Sequence, residues 1–112
     1  MLTVRMLRRF SNTTARALQF DTPGPCASAL KFVDNIVIPE SIPSSHVHVS
    51  FLAAPVNPSD RNVIEGTYPL QPVEWPATGG SEGIAVVRRV GASVQDLSVG
   101  DWVVPMTPCL GW

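Results

Sequence analysis

Eleven prolines and eight glycines in 112 residues limit this chain more than any other feature. A bundle of long helices cannot absorb so many breaks, because proline removes a backbone donor and glycine costs helical stability. What remains is a set of short strands joined by turns. The length fits one domain at most. The apolar fraction of 45% is ordinary, and the charged fraction of 15% is low against the usual ~25%. There is no apolar run of ~18 residues, so no membrane-spanning helix is expected. A net charge of -1 gives no surface for nucleic acid, which needs clustered Lys and Arg.

The charge is unevenly placed. Residues 1–20 carry Arg5, Arg8, Arg9 and Arg16 and no acid, whereas the rest carries four basic residues against nine acidic ones, a charge of -5. Residues 1–15 read as a mitochondrial presequence: rich in Arg, Ser and Thr, with Leu2, Met6, Leu7 and Phe10 spaced for one face of a helix. The competing reading is a surface amphipathic helix or an N-terminal arm. Cys26 and Cys109 are too few for a disulfide framework and form no Cys-x-x-Cys pair, which leaves two reduced thiols as the simplest reading.

From Ala17 onward strands are expected at Ala17–Phe20, Ala29–Val33, His46–Ala53, Glu82–Val90 and Asp101–Pro105. His46–Ala53 alternates, with Val47, Val49 and Phe51 on one side and His46, His48 and Ser50 on the other. Asn57 or Ser59 can cap a short helix through Ile64 that stops at Gly66. Thr67–Ala77, with Pro69, Pro72 and Pro76, is expected to be a loop. Val90–Ser93 and Ser98–Asp101 carry turn residues. The expected fold is mainly β with short helices: a mostly antiparallel, partly closed barrel.

Four blocks then stand out: Asn57-Pro58-Ser59-Asp60, Gly66-Thr67-Tyr68, Pro76-Ala77-Thr78-Gly79-Gly80-Ser81-Glu82-Gly83, and Gly100-Asp101-Trp102-Val103-Val104-Pro105. In this order they resemble the GroES-like domain of the medium-chain dehydrogenase/reductase superfamily. Within it they are similar to the mitochondrial trans-2-enoyl-thioester (enoyl-CoA or enoyl-[acyl-carrier-protein]) reductases of fatty-acid synthesis, in the zinc-free branch near the quinone oxidoreductases. The likeness is specific over about half the chain and weak over Arg16–Phe51.

The resemblance implies that residues 16–112 are the N-terminal part of a GroES-like catalytic domain, a truncated barrel whose isolated form has exposed strand edges and poor solubility. The Rossmann cofactor domain of such an enzyme is absent from this chain, so NADPH would be bound mainly by that missing part. It implies an enoyl thioester on acyl carrier protein or CoA as substrate, a homodimeric full-length protein, and the mitochondrial matrix. Quinone reduction within the same superfamily, or a non-catalytic barrel acting as a binding module, are the alternatives.

Zinc-dependent alcohol dehydrogenases on this scaffold place a Cys within the stretch held here by Pro58–Asp60, and a His where this chain has Ser81. A catalytic zinc needs three protein ligands, and Glu82 alone cannot supply them, so no metal is expected. Reduction of a 2-enoyl thioester adds hydride at Cβ and moves charge onto Cα and the thioester oxygen. A side-chain acid must then protonate Cα, and a phenol, ordinarily ionising near pH ~10, suits that task. Tyr68 is the single tyrosine, and the resemblance assigns the tyrosine of this block as the donor. A loop-anchoring tyrosine is the plainer reading.

Asn57 and Asp60 read first as turn and cap residues, and secondly as support for the cleft. Gly79, Gly80 and Gly83 are expected to serve close backbone approach and positive φ; no Gly-x-Gly-x-x-Gly pattern is present. Glu82 is expected to be a structural buried acid, Trp75, Trp102 and Trp112 packing residues, and Arg88 and Arg89 solvated charges or contacts for an acidic carrier.

Overall fold

The computed structural model describes residues 13–106. The order of elements is β1 (Thr14–Phe20), α1 (Cys26–Ala29), β2 (Lys31–Val37), β3 (Val47–Ala53), α2 (Pro58–Ile64), β4 (Ala77–Thr78), β5 (Ile84–Val90) and β6 (Trp102–Val103). The expected leader falls outside these residues except for its last three positions, and Cys109 and Trp112 also fall outside. The mainly β expectation is met.

The strands form two three-stranded sheets, β2-β1-β4 and β3-β5-β6, every pairing antiparallel. Among the described residues the two sheets are not joined edge to edge, so the barrel is open. Two connections hold them near each other. Gly79–Gly83 runs directly from β4 in the first sheet to β5 in the second. Arg89, near the end of β5, donates from its guanidinium to the carbonyl oxygens of Glu40 and of Pro39, the latter at 2.9 Å. Arg89 is therefore a tie between β5 and the β2–β3 connection rather than a solvated charge.

The larger core sits under the first sheet. Phe20 at the end of β1 is fully buried and pairs with Ala77 of β4; Val63 and Ile64 of α2 pack on them, with Cys26, Ala29 and Leu30 alongside. The Trp75 ring meets Phe20 edge-on, with centroids 5.4 Å apart. The buried positions of α2 are Asp60, Val63 and Ile64, the i, i+3, i+4 spacing of a single helix face. In the second sheet Ala85, Val86 and Val87 are all buried on the central strand.

Several local expectations change. β1 begins at Thr14, three residues before the expected start, because its early half pairs with β2 (Thr14 with Val37, Ala15 with Ile36) across a bulge. Cys26–Ala29 is a single helical turn, and β2 begins at Lys31 rather than Ala29. One turn gains little from intrinsic propensity; this one is held by packing on the α2 core.

The alternation of β3 is broken. Its register against β5 shifts at His48/Val49 and again at Phe51/Ala53, so burial along the strand does not alternate. Each bulge re-aims the side chains beyond it.

Candidate functional site

The site starts from α2. Its N-terminus is closed by a capping box: the Asn57 N–H donates to Asp60 Oδ2 at 2.7 Å, and the Asp60 N–H donates to the Asn57 carbonyl at 3.0 Å. Pro58 occupies the first turn, where a missing N–H costs nothing. Asp60 is 1% exposed, and its second oxygen, Oδ1, has no hydrogen-bond partner among the described residues. The Asp60 side chain therefore has two tasks, a cap and a place in the buried face. On the outer surface Arg61 Nε donates to Glu65 Oε1 at 2.8 Å, and this contact holds the guanidinium above its ordinary pKa.

The C-terminus of α2 sets the next block. The Asn62 carbonyl accepts from the Thr67 N–H at 2.8 Å, the Tyr68 N–H at 3.1 Å and the Thr67 hydroxyl at 3.3 Å. The chain turns there because Gly66 adopts φ +77, the left-handed conformation that ends helices. A Cβ on Gly66 would also lie 2.8 Å from Pro23 Cβ. That proline belongs to the loop whose Gly24 N–H donates to the Ile64 carbonyl at 2.9 Å. Gln71 Nε2 then donates to the Tyr68 carbonyl at 2.7 Å, a clamp with no signal in the sequence.

Tyr68 thus has a tied backbone and a half-open side chain, 37% exposed. Its phenol oxygen makes no hydrogen bond among the described residues. Asn57 and Asp60 do not touch it. They stand at the opposite end of a seven-residue helix, about 10 Å away at 1.5 Å per residue.

The remaining blocks converge elsewhere. A cleft of about 610 Å³ is lined by Ala53, Ala54 and Pro55 after β3, Glu82, Gly83 and Ile84 at the start of β5, and Val104 and Pro105 after β6. Its wall is apolar apart from Glu82. That residue is exposed, not buried as expected, because the turn ahead of β5 carries it into the cleft mouth. Gly83 lies under the Phe51 ring, where a Cβ would fall 2.5 Å from a ring carbon; close approach, not positive φ, is its reason.

Trp102, expected to pack, is 70% exposed on edge strand β6. Asp101 shapes the turn before it: its carboxylate accepts the Ser98 N–H at 2.8 Å. Among the described residues no three His, Cys, Asp or Glu side chains come together to hold a metal ion.

The alcohol dehydrogenase GroES-like domain family matches residues 43–111, more than half of the sequence and all four blocks in full. The chain belongs to this family.

Among similar proteins, the mitochondrial enoyl-[acyl-carrier-protein] reductase of Xenopus tropicalis is 43% identical over 105 residues, covering 93% of this chain and 29% of that protein. The Etr1p/NADP/crotonyl-CoA complex superposes with a TM-score of 0.81 at 34% identity, over 88% of this chain and 29% of its own. An Etr1p/Etr2p heterodimer from Candida tropicalis gives 0.78 at 31% identity with the same coverage. The NADPH complex of Escherichia coli quinone oxidoreductase is less similar: 0.68 at 27% identity, over 83% of this chain and 27% of its own. This GroES-like chain spans under a third of the length of each of these four proteins.

Proposed function

We propose that this GroES-like chain is the N-terminal catalytic part of an NADPH-dependent 2-enoyl-thioester reductase of mitochondrial fatty-acid synthesis, with Tyr68 as proton donor. The observation that carries the reading is the state of Tyr68. Its backbone is held by Asn62 and Gln71, while its side chain is partly exposed and its hydroxyl is engaged by nothing in the described residues. A donor needs that combination: fixed position and an uncommitted proton. A loop-anchoring tyrosine would use its hydroxyl for the anchor, and here the backbone does the anchoring.

The apolar cleft between Pro55, Ile84 and Val104 fits an acyl chain or a flat aromatic ring. The chain has no Gly-x-Gly-x-x-Gly turn to cradle the pyrophosphate of a dinucleotide, so that binding is assigned to the rest of the parent. The nicotinamide supplies the hydride when bound elsewhere in the parent. This chain's residues position Tyr68, wall the cleft and exclude water. Asn57 and Asp60 act through α2, by fixing the helix whose far end holds Tyr68.

The crotonyl-CoA found with Etr1p supports a short enoyl thioester on CoA or acyl carrier protein as substrate. The Etr1p/Etr2p pair supports a dimeric parent, here a homodimer. The mitochondrial relatives and the arginine-rich first fifteen residues support import into the matrix, with residues 1–15 as presequence and 16–112 as catalytic domain.

The test is turnover of the full-length protein with NADPH and either crotonyl-CoA or a quinone. Reduction of crotonyl-CoA is the expected result. Turnover of the quinone alone would move the protein to the oxidoreductases at TM-score 0.68, and no turnover of either would leave a binding module.

A further inference from the structure

A second groove lies at the other end of the β3–β5 pair. It is lined by Thr14 and Arg16 of β1, His48, Ser50 and Phe51 of β3, and Arg88 of β5, with a volume of about 520 Å³. Arg88 is four residues along β5 from Ile84 of the apolar cleft, about 13 Å at the rise of a strand. The two concavities are therefore separate.

The charges of this groove set it apart. Among the described residues, Lys31 is paired with Asp21 and Arg61 with Glu65, and Arg89 is bound to two carbonyl oxygens. Arg16 and Arg88 are the two basic residues with no such partner, and both line this groove. They stand 72 positions apart in sequence, so the fold has gathered them. His48, which lines the same groove, carries a buried Nδ1 with no hydrogen-bond partner among the described residues. Ser50 and Thr14 add hydroxyls. Glu40 lines the adjoining hollow with Pro39 and Arg89, and that hollow shares His48 and Arg88 with this groove.

We propose that the Arg16–His48–Arg88 groove binds a phosphate-type oxyanion, free or as the ester of a small molecule. Two guanidinium groups offer forked N–H donors that match tetrahedral oxyanions, and hydroxyl and imidazole groups complete such a shell. Among the described residues the other basic side chains, Lys31, Arg61 and Arg89, are already engaged.

The experiment is calorimetric titration of the full-length protein with inorganic phosphate and with AMP, at fixed ionic strength. It compares the natural protein with Arg16→Gln, Arg88→Gln and the double variant. Arg16 and Arg88 lie outside the cleft and the Tyr68 loop, so unchanged turnover of crotonyl-CoA without added anion certifies the fold of each variant. Saturable binding, weakened at least about tenfold by each substitution, is the expected result, since a charge-assisted hydrogen bond contributes at least that factor. Tighter binding of AMP than of phosphate assigns the site to an ester, and the reverse to the free ion. No saturable binding of either, or equal binding by the double variant, overturns the proposal. Binding of polyglutamate but of neither phosphate compound also overturns it, in favour of an acidic protein surface.

Discussion

The Asn62 carbonyl accepts the backbone N–H of Tyr68 at 3.1 Å, so the phenol hangs from the last turn of a helix instead of from a free loop. The order of the first two sequence blocks follows from this bond. Asn57–Asp60 starts the helix, Gly66 ends it, and Tyr68 is delivered two residues later. The spacing is a length of helix, not a chance of sequence.

Tyr68→Phe keeps the ring and the backbone anchors and removes one hydroxyl that has no hydrogen bond among the described residues. Stability is expected to change by less than ~0.5 kcal/mol, as for other surface substitutions. Turnover of crotonyl-CoA by the full-length protein is expected to fall by about 10²–10⁴, the usual contribution of a positioned general acid. Paired denaturation curves and steady-state rates check both numbers. An unchanged rate would remove Tyr68 from the chemistry.

Gly66→Ala forces an L side chain to φ +77 and brings its Cβ against Pro23. The conformation alone costs about 1–2 kcal/mol, and the clash adds to it. Because Gly66 leads directly into Thr67 and Tyr68, a lower kcat is expected together with the lower midpoint in urea. A variant with normal kcat and normal stability would show that this turn does not set the Tyr68 loop.

Asp60→Ala removes the acceptor for the Asn57 N–H and leaves that donor without its cap. A loss of about 1–2 kcal/mol is expected. Asp60→Asn keeps an oxygen for the same bond and should lose less than half as much, although it places an amide beside a site that is 1% exposed. Urea denaturation of both variants against the natural protein measures the difference; equal losses would show that burial, and not capping, dominates at this position.

Phe20→Ala empties the centre of the core between β1, β4 and α2 and removes the edge-on contact with Trp75. The cost expected for a buried phenylalanine is about 3–5 kcal/mol. Calorimetric unfolding of the full-length protein is the check, and a loss under ~1 kcal/mol would mean that α2 does not depend on this cluster.

The short helix from Pro58, its stop at Gly66, the loop before Ala77 and the turn at Ser98–Asp101 could all be read from the sequence. Each depends on residues within four positions of one another: a cap, a proline in the first turn, a glycine past the end, an aspartate closing a turn. The chain itself carries those terms wherever it goes. Five of the six strands were legible for the same reason, while the two-residue β4 (Ala77–Thr78) was not, because only its pairing with β1 makes it a strand; the four blocks together were enough to place the family.

What the tertiary structure alone decided depends on partners far away in sequence. The Cys26–Ala29 turn exists because it packs against α2. The alternation of β3 is broken by bulges that only pairing with β5 creates. Glu82 and Trp102 are exposed where burial and packing were expected, and Arg89 is committed to the carbonyl oxygens of Pro39 and Glu40, fifty and forty-nine positions earlier. Arg16 and Arg88 share a groove for the same reason. Burial, register and the meeting of distant charges are set by which surfaces close on each other, and no local pattern of residues encodes that closure.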